Sequence, residues 1–202
     1  MRRTWHDPKL GEFVFDDGCG YWETIVEATG FDAFRYDWGK KETDSGYTPP
    51  NGRYKLQIDD YGGNADRPAA AALALKVLGN QSALVRAVTH AMWEDINGRG
   101  PHSGMWWHGD FDLPVGACTG QRHSWMVDVL AADGIAVQSP DDLLRVMGFR
   151  AFLVRDNVRD YQAQLIELDF DAAFEMEHGV GLLTDGERIL GTGYQVDVDL
   201  FR

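Results

Sequence analysis

At 202 residues, with 44% hydrophobic and 25% charged side chains, the chain has the composition of a single folded domain. Its formal net charge of −13 has the wrong sign for phosphate, so nucleic acid is not an expected partner. No apolar run approaches the ~18–20 residues of a membrane helix, and Met1 to Pro8 lack the apolar stretch of a signal peptide.

Phe13 and Phe15 flank Val14 ahead of a turn at Asp16, Asp17 and Gly18, and Tyr21 to Ala28 is rich in β-branched and aromatic residues. Both read as strands, with a further strand over Phe31 to Trp38 and a loop from Gly39 to Arg53. Tyr54, Leu56 and Ile58 then alternate with Lys55, Gln57 and Asp59, completing an antiparallel meander of three or four strands. Asp66 is a helix cap with Pro68 in the first turn, and Gly79 suits the stop of that helix. A second helix runs from about Gln81 to Asn97 with Val85, Val88, Met92 and Ile96 as its apolar stripe. His90 lies off the stripe and reads as a surface or boundary residue.

Pro101 to Ser124 departs from this regularity. His102, His108 and His123, with Asp110 and Asp112, are side-chain types that ligate zinc or iron. No H-E-x-x-H motif or histidine pair at helical spacing accompanies them, so no metal or other cofactor is expected. The alternative is a metal site built from His102, His108, Asp110 and His123. Trp106 and Trp107 fit a packing anchor or a recognition surface equally well. Cys118 lies near His123, but nucleophile and base are normally distant in sequence. Cys19 and Cys118 form no C-x-x-C pair, which points to reduced thiols and a cytoplasmic setting. Ser124 to Asp133 reads as helix or strand. Ser139 caps a helix with Pro140 at its first position, carried by Leu143 to Met147 and ended by Gly148, and Phe149 to Arg155 is a strand.

In the last third, Ile166, Leu168 and Phe170 alternate with Glu167, Asp169 and Asp171, giving a strand with one buried face and one acidic, wet face. Asp185-Gly186 between two apolar segments predicts a hairpin with a two-residue type I′ turn. Val196 and Val198 alternate with Asp197 and Asp199 in a closing strand of the same kind. Glu177-His178-Gly179 enters the hairpin either as an acid/base pair or as a bend whose polar groups satisfy backbone. Adjacent strand residues point to opposite faces, so convergence of Glu177 and His178 requires a bulge, which Gly179 and Gly181 permit. From Asp156 to Phe201 eleven carboxylates face only Arg159 and Arg188. Such a surface steers a basic partner or simply keeps the protein solvated.

The blocks Pro140-Asp141-Asp142-Leu143, Glu177-His178-Gly179 with Gly181, and Asp185-Gly186 with Gly191 resemble bacterial families of unknown function that end in an E-H-G-x-G segment. Members are often immunity-like cytosolic proteins, and they usually carry a tryptophan before this segment where Phe174 stands here. The resemblance spans about residues 139–194 and more loosely 5–97, and it implies no catalytic residues. The expected fold is α+β: an antiparallel N-terminal meander, central helices, and C-terminal antiparallel strands with a D-G hairpin. It forms one domain over 1–202, with possible sub-lobes 1–100 and 124–202 joined by the aromatic, histidine-rich loop. The expected function is non-catalytic binding of a basic protein, such as a toxin, through Asp169, Asp171, Asp197, Asp199, Glu177, His178, Trp106 and Trp107. The alternative is metal-assisted hydrolysis.

Overall fold

The structure, a computed structural model, describes residues 2–36, 50–96, 138–156, 161, 163–173, 175–195 and 197–200. Four strands open the chain: β1 (Thr4–Asp7), β2 (Gly11–Asp16), β3 (Tyr21–Glu27) and β4 (Arg53–Asp59). Among the described residues the next elements are two helices, α1 (Arg67–Gly79) and α2 (Gln81–Ile96), and the single turn α3 (Leu143–Val146). The chain ends in β5 (Met147–Arg155), β6 (Leu165–Ala172), β7 (Glu175–Thr184), β8 (Ile189–Tyr194) and β9 (Asp197–Leu200). The nine strands of the described residues lie in one sheet in chain order. Neighbours are antiparallel except β4 and β5, which run parallel because helical segments intervene between them. The fold is α+β, with two meanders meeting at that parallel pair. No helix among the described residues is long and apolar enough to cross a membrane.

The core lies between one sheet face and the helices. Strand alternation supplies Tyr54, Leu56 and Ile58 from β4 and Ile166, Leu168 and Phe170 from β6. Phe149 is its hub, with ring centroids 4.3 Å from Phe31, 4.6 Å from Phe152, 4.8 Å from Tyr54 and 5.2 Å from Phe170. The tilted and edge-on packing suits the quadrupoles of the rings. Asp66 starts α1 as expected, its carboxylate accepting from the Ala69 amide at 3.1 Å. The small residues Ala70 and Ala74 of α1 are buried, as are Leu84, Val88 and Met92 of α2. His90 is exposed.

Several local expectations need correction. Thr29–Ala33 is a 3₁₀ helix, not the start of a strand, because Asp32 of that turn accepts from the Gly52 amide at 3.0 Å and the Tyr54 hydroxyl at 2.6 Å. Gly79 is still helical, and Asn80 caps α1 with a negative φ of −122°. On α2 the fully buried stripe starts at Leu84, whereas Val85 is half-buried. After Ser139 the chain makes one 3₁₀ turn and the single turn of α3, and β5 begins at Met147. Asp142 Oδ2 holds this entry by accepting from the Ser139 amide and hydroxyl, both at 2.9 Å. The hairpin stands at Asp185-Gly186, but its loop runs over residues 185–188, and only Gly186 has a positive φ (+89°). Asp185 Oδ1 accepts from the Glu187 and Arg188 amides at 3.0 and 3.2 Å, replacing the two-residue turn. The segments 37–49 and 97–137 lie outside the described residues, and with them most of the expected loop and the undecided element at 124–133.

Candidate functional site

The sheet face turned away from the helices carries the polar side chains of the alternating strands. Register places Glu23, Gln57, Leu153, Glu167 and Leu183 in one row across β3 to β7. The next row runs Ile25, Lys55, Ala151, Asp169, Gly181, Gly193 and Val198. The two ends of these rows differ in what covers them.

At the C-terminal end the acidic row is covered to differing degrees, Glu167 fully and Asp169 and Asp171 partly, which corrects the wet-face reading of β6. Glu167 is fully buried, and its Oε2 accepts from Arg155 Nη1 at 2.6 Å. Asp169, two residues on and on the same face, shares a hydrogen bond with Glu167. Burial, then the charge of Glu167, pushes the Asp169 carboxyl well above the usual carboxylate range. Its Oδ1 is buried without a hydrogen-bond partner among the described residues. The neighbouring Glu167 carboxylate and the burial of this face thus disfavour the charged form of Asp169, while Arg155 meets the charge of Glu167. Leu165, Leu183 and Val198 form an apolar cluster on this face. Gly181 sits opposite Asp169, and a Cβ there would lie 2.6 Å from Glu167 Oε1 and 2.4 Å from Val198 Cγ2. Val198 therefore shares the face of Asp169, not that of Leu168 as alternation within its own strand suggested. Asp199 pairs with Thr192 and Asp197 with Tyr194, one residue out of phase with Val198.

Asp171 ion-pairs with Arg150 at 3.0 Å; burial pushes its carboxyl up, and Arg150 opposes that shift. Burial, helped by Asp171, raises the Tyr36 hydroxyl to about 12. The E-H-G block is a bulge. Pairing slips from Phe170↔Val180 to Ala172↔Glu175, so that Asp171 faces the extra residues of β7. Gly179 takes φ +64° there, and a Cβ would stand 2.7 Å from the Phe170 carbonyl oxygen, which Gln195 Nε2 caps at 2.8 Å. His178 is exposed, its ring 4.8 Å from that of Tyr194. The side chains of Glu177, Asp197 and Asp199 lie outside the described residues, as do Trp106, Trp107, His102, His108, Asp110, Asp112 and His123. Among the described residues no three His, Cys, Asp or Glu side chains are grouped to hold a metal ion.

At the N-terminal end the same face is open. A groove of about 660 Å³ lies over β2 and β3, with Val14 and Ile25 in its floor and Glu12, Asp16, Asp17 and Glu23 around it. Arg2 is the basic residue of this lining. Ile25 is 48% exposed, one of two large hydrophobic residues so exposed among the described residues. Glu23 is held by Lys55 at 3.3 Å and by Gln57 at 2.6 Å, and Asp17 pairs with Arg3. Sequence reasoning missed this surface because its carboxylates are spread through 12–23 without a charge run. The available signal was Ile25, an apolar residue out of phase with Trp22 and Val26. Comparison with protein-family models, with curated proteins and with solved structures finds no match to this chain.

Proposed function

We propose that the protein is a non-catalytic binding protein that takes a basic protein partner, in the manner of an immunity-like inhibitor. One observation carries this: the acidic groove on the outer face of β2 and β3, where carboxylates lie around the exposed Ile25 and the half-buried Val14. An exposed apolar surface rimmed by charge is the usual composition of a protein-docking surface. The acidity relevant to a partner is therefore that of the N-terminal meander, because Glu167 is buried against Arg155 and Asp169 is hydrogen-bonded to Glu167. The resemblance of the E-H-G-x-G block to immunity-like families supports the same reading, and the exposed free thiol of Cys19 suits a reducing compartment such as the cytoplasm.

The test is titration with a lysine- and arginine-rich peptide, followed by amide chemical shifts across a salt series. Rim charges act on encounter and are screened over about 8–10 Å near physiological ionic strength. Binding is expected at low salt, with shifts in the meander and weakening as salt rises. Absence of binding at low salt refutes the reading.

A further inference from the structure

The structure assigns the β2–β3 groove a more specific occupant, an inference that rests on the reading just given. We propose that it receives a short partner segment in which an apolar side chain is flanked by lysine or arginine. The apolar residue sits on Ile25 and Val14, and the flanking cations lie against Glu12 on one side and Asp16 and Glu23 on the other.

Three features of the molecule lead to this occupant. First, the outer face changes character along the sheet. Over β6, β7 and β9 it is sealed by Leu165, Leu183 and Val198, whereas over β3 it leaves Ile25 half in water. A solvated sheet face needs no isoleucine in that place, and removing the exposed part of one from water is favourable. Second, the carboxylates around this floor carry unequal loads. Glu23 is already held by Lys55 and Gln57, Asp17 by Arg3, and Asp16 Oδ1 accepts the Gly18 amide at 2.8 Å. Exposed Glu12 and Asp16, which meet no cation among the described residues, thus make the larger charge contribution to a partner, and Glu23 and Asp17 shape the rim. Third, the apolar lining is confined to Val14, Phe15 and Ile25, with Glu12, Asp16, Asp17 and Glu23 beside them, and an anchored side chain at the centre of a polar rim is the common layout of a hot spot.

Two synthetic peptides separate this inference from the broader reading. One carries a leucine between lysine and arginine residues, and the other has serine in place of that leucine. The leucine peptide should bind the wild-type protein about tenfold more tightly. Ile25→Ser should erase that difference. Glu12→Lys should weaken both peptides at low salt, with a loss that shrinks as salt rises. Ile25 and Glu12 are exposed, and each variant is to be checked for folding by circular dichroism. Equal affinity of the two peptides for the wild type, or indifference of the leucine peptide to Ile25→Ser, overturns the anchored occupant while the basic-partner reading stands. Failure of both peptides to bind at low salt removes both.

Discussion

The carboxyl pair on β6 makes opposite demands on two residues that look alike in sequence. Glu167→Gln removes the charge that Arg155 meets at 2.6 Å, leaving a guanidinium whose side chain is 24% exposed without its ionic partner. Hydrogen bonds to charged groups contribute about 1.5–3 kcal/mol, and partial exposure of Arg155 favours the lower part of that range. A loss of about 2 kcal/mol is expected, or a Tm lower by about 4–8 °C for a chain of this size. Asp169→Asn does the reverse. Asparagine keeps the shape of the protonated carboxyl and still donates to Glu167, but it has no proton to lose. Because the folded value of Asp169 is raised, the stability it contributes is complete in acid, below the ordinary aspartate value near ~3.9. That contribution is lost as pH rises through the raised folded value. Over that window the wild type falls relative to Asp169→Asn by up to about 1.4 kcal/mol per pH unit. Urea unfolding of the wild type, both single variants and the double variant at several pH values measures these quantities. The pair touches, so the double variant should be non-additive. If Asp169→Asn costs as much as Glu167→Gln, or if its stability has the same pH slope as the wild type, the Asp169 carboxyl is not pushed up in the fold and the reasoning is wrong.

Gly181→Ala should destabilise by about 1–3 kcal/mol in urea unfolding, since its Cβ meets Val198 and Glu167 inside contact distance; a neutral result means β9 does not pack as described. Asn80→Ala should cost about 1 kcal/mol and speed amide exchange at 185–188, because Asn80 Nδ2 holds the Gly186 carbonyl at 3.0 Å. Asp66→Ala should lower stability by about 1 kcal/mol through loss of the α1 cap, with helicity by circular dichroism as a second readout.

What the sequence determined was local. The period-two runs at 54–58 and 166–170, the Asp66 cap and the hairpin at Asp185-Gly186 follow from side-chain direction, backbone freedom and short-range hydrogen bonds, which a few neighbouring residues specify. Tertiary structure decided what each pattern meant. Alternation along β6 separates two faces but does not say what covers either. Glu167 becomes internal because Gly181 on β7, and the apolar cluster to which Val198 of β9 belongs, arrive from elsewhere in the chain. The hairpin was legible, yet its wider turn depends on α1, whose Asn80 bonds Gly186 and whose Lys76 meets Glu187 at 2.9 Å. Phe31 and Phe34 have the composition of a strand, but Asp32 satisfies Gly52 and Tyr54 only in a 3₁₀ turn. The groove over β2 and β3 left almost no trace in the sequence. A surface is assembled from residues on separate strands, and its charge and exposure exist only once those strands have been placed side by side.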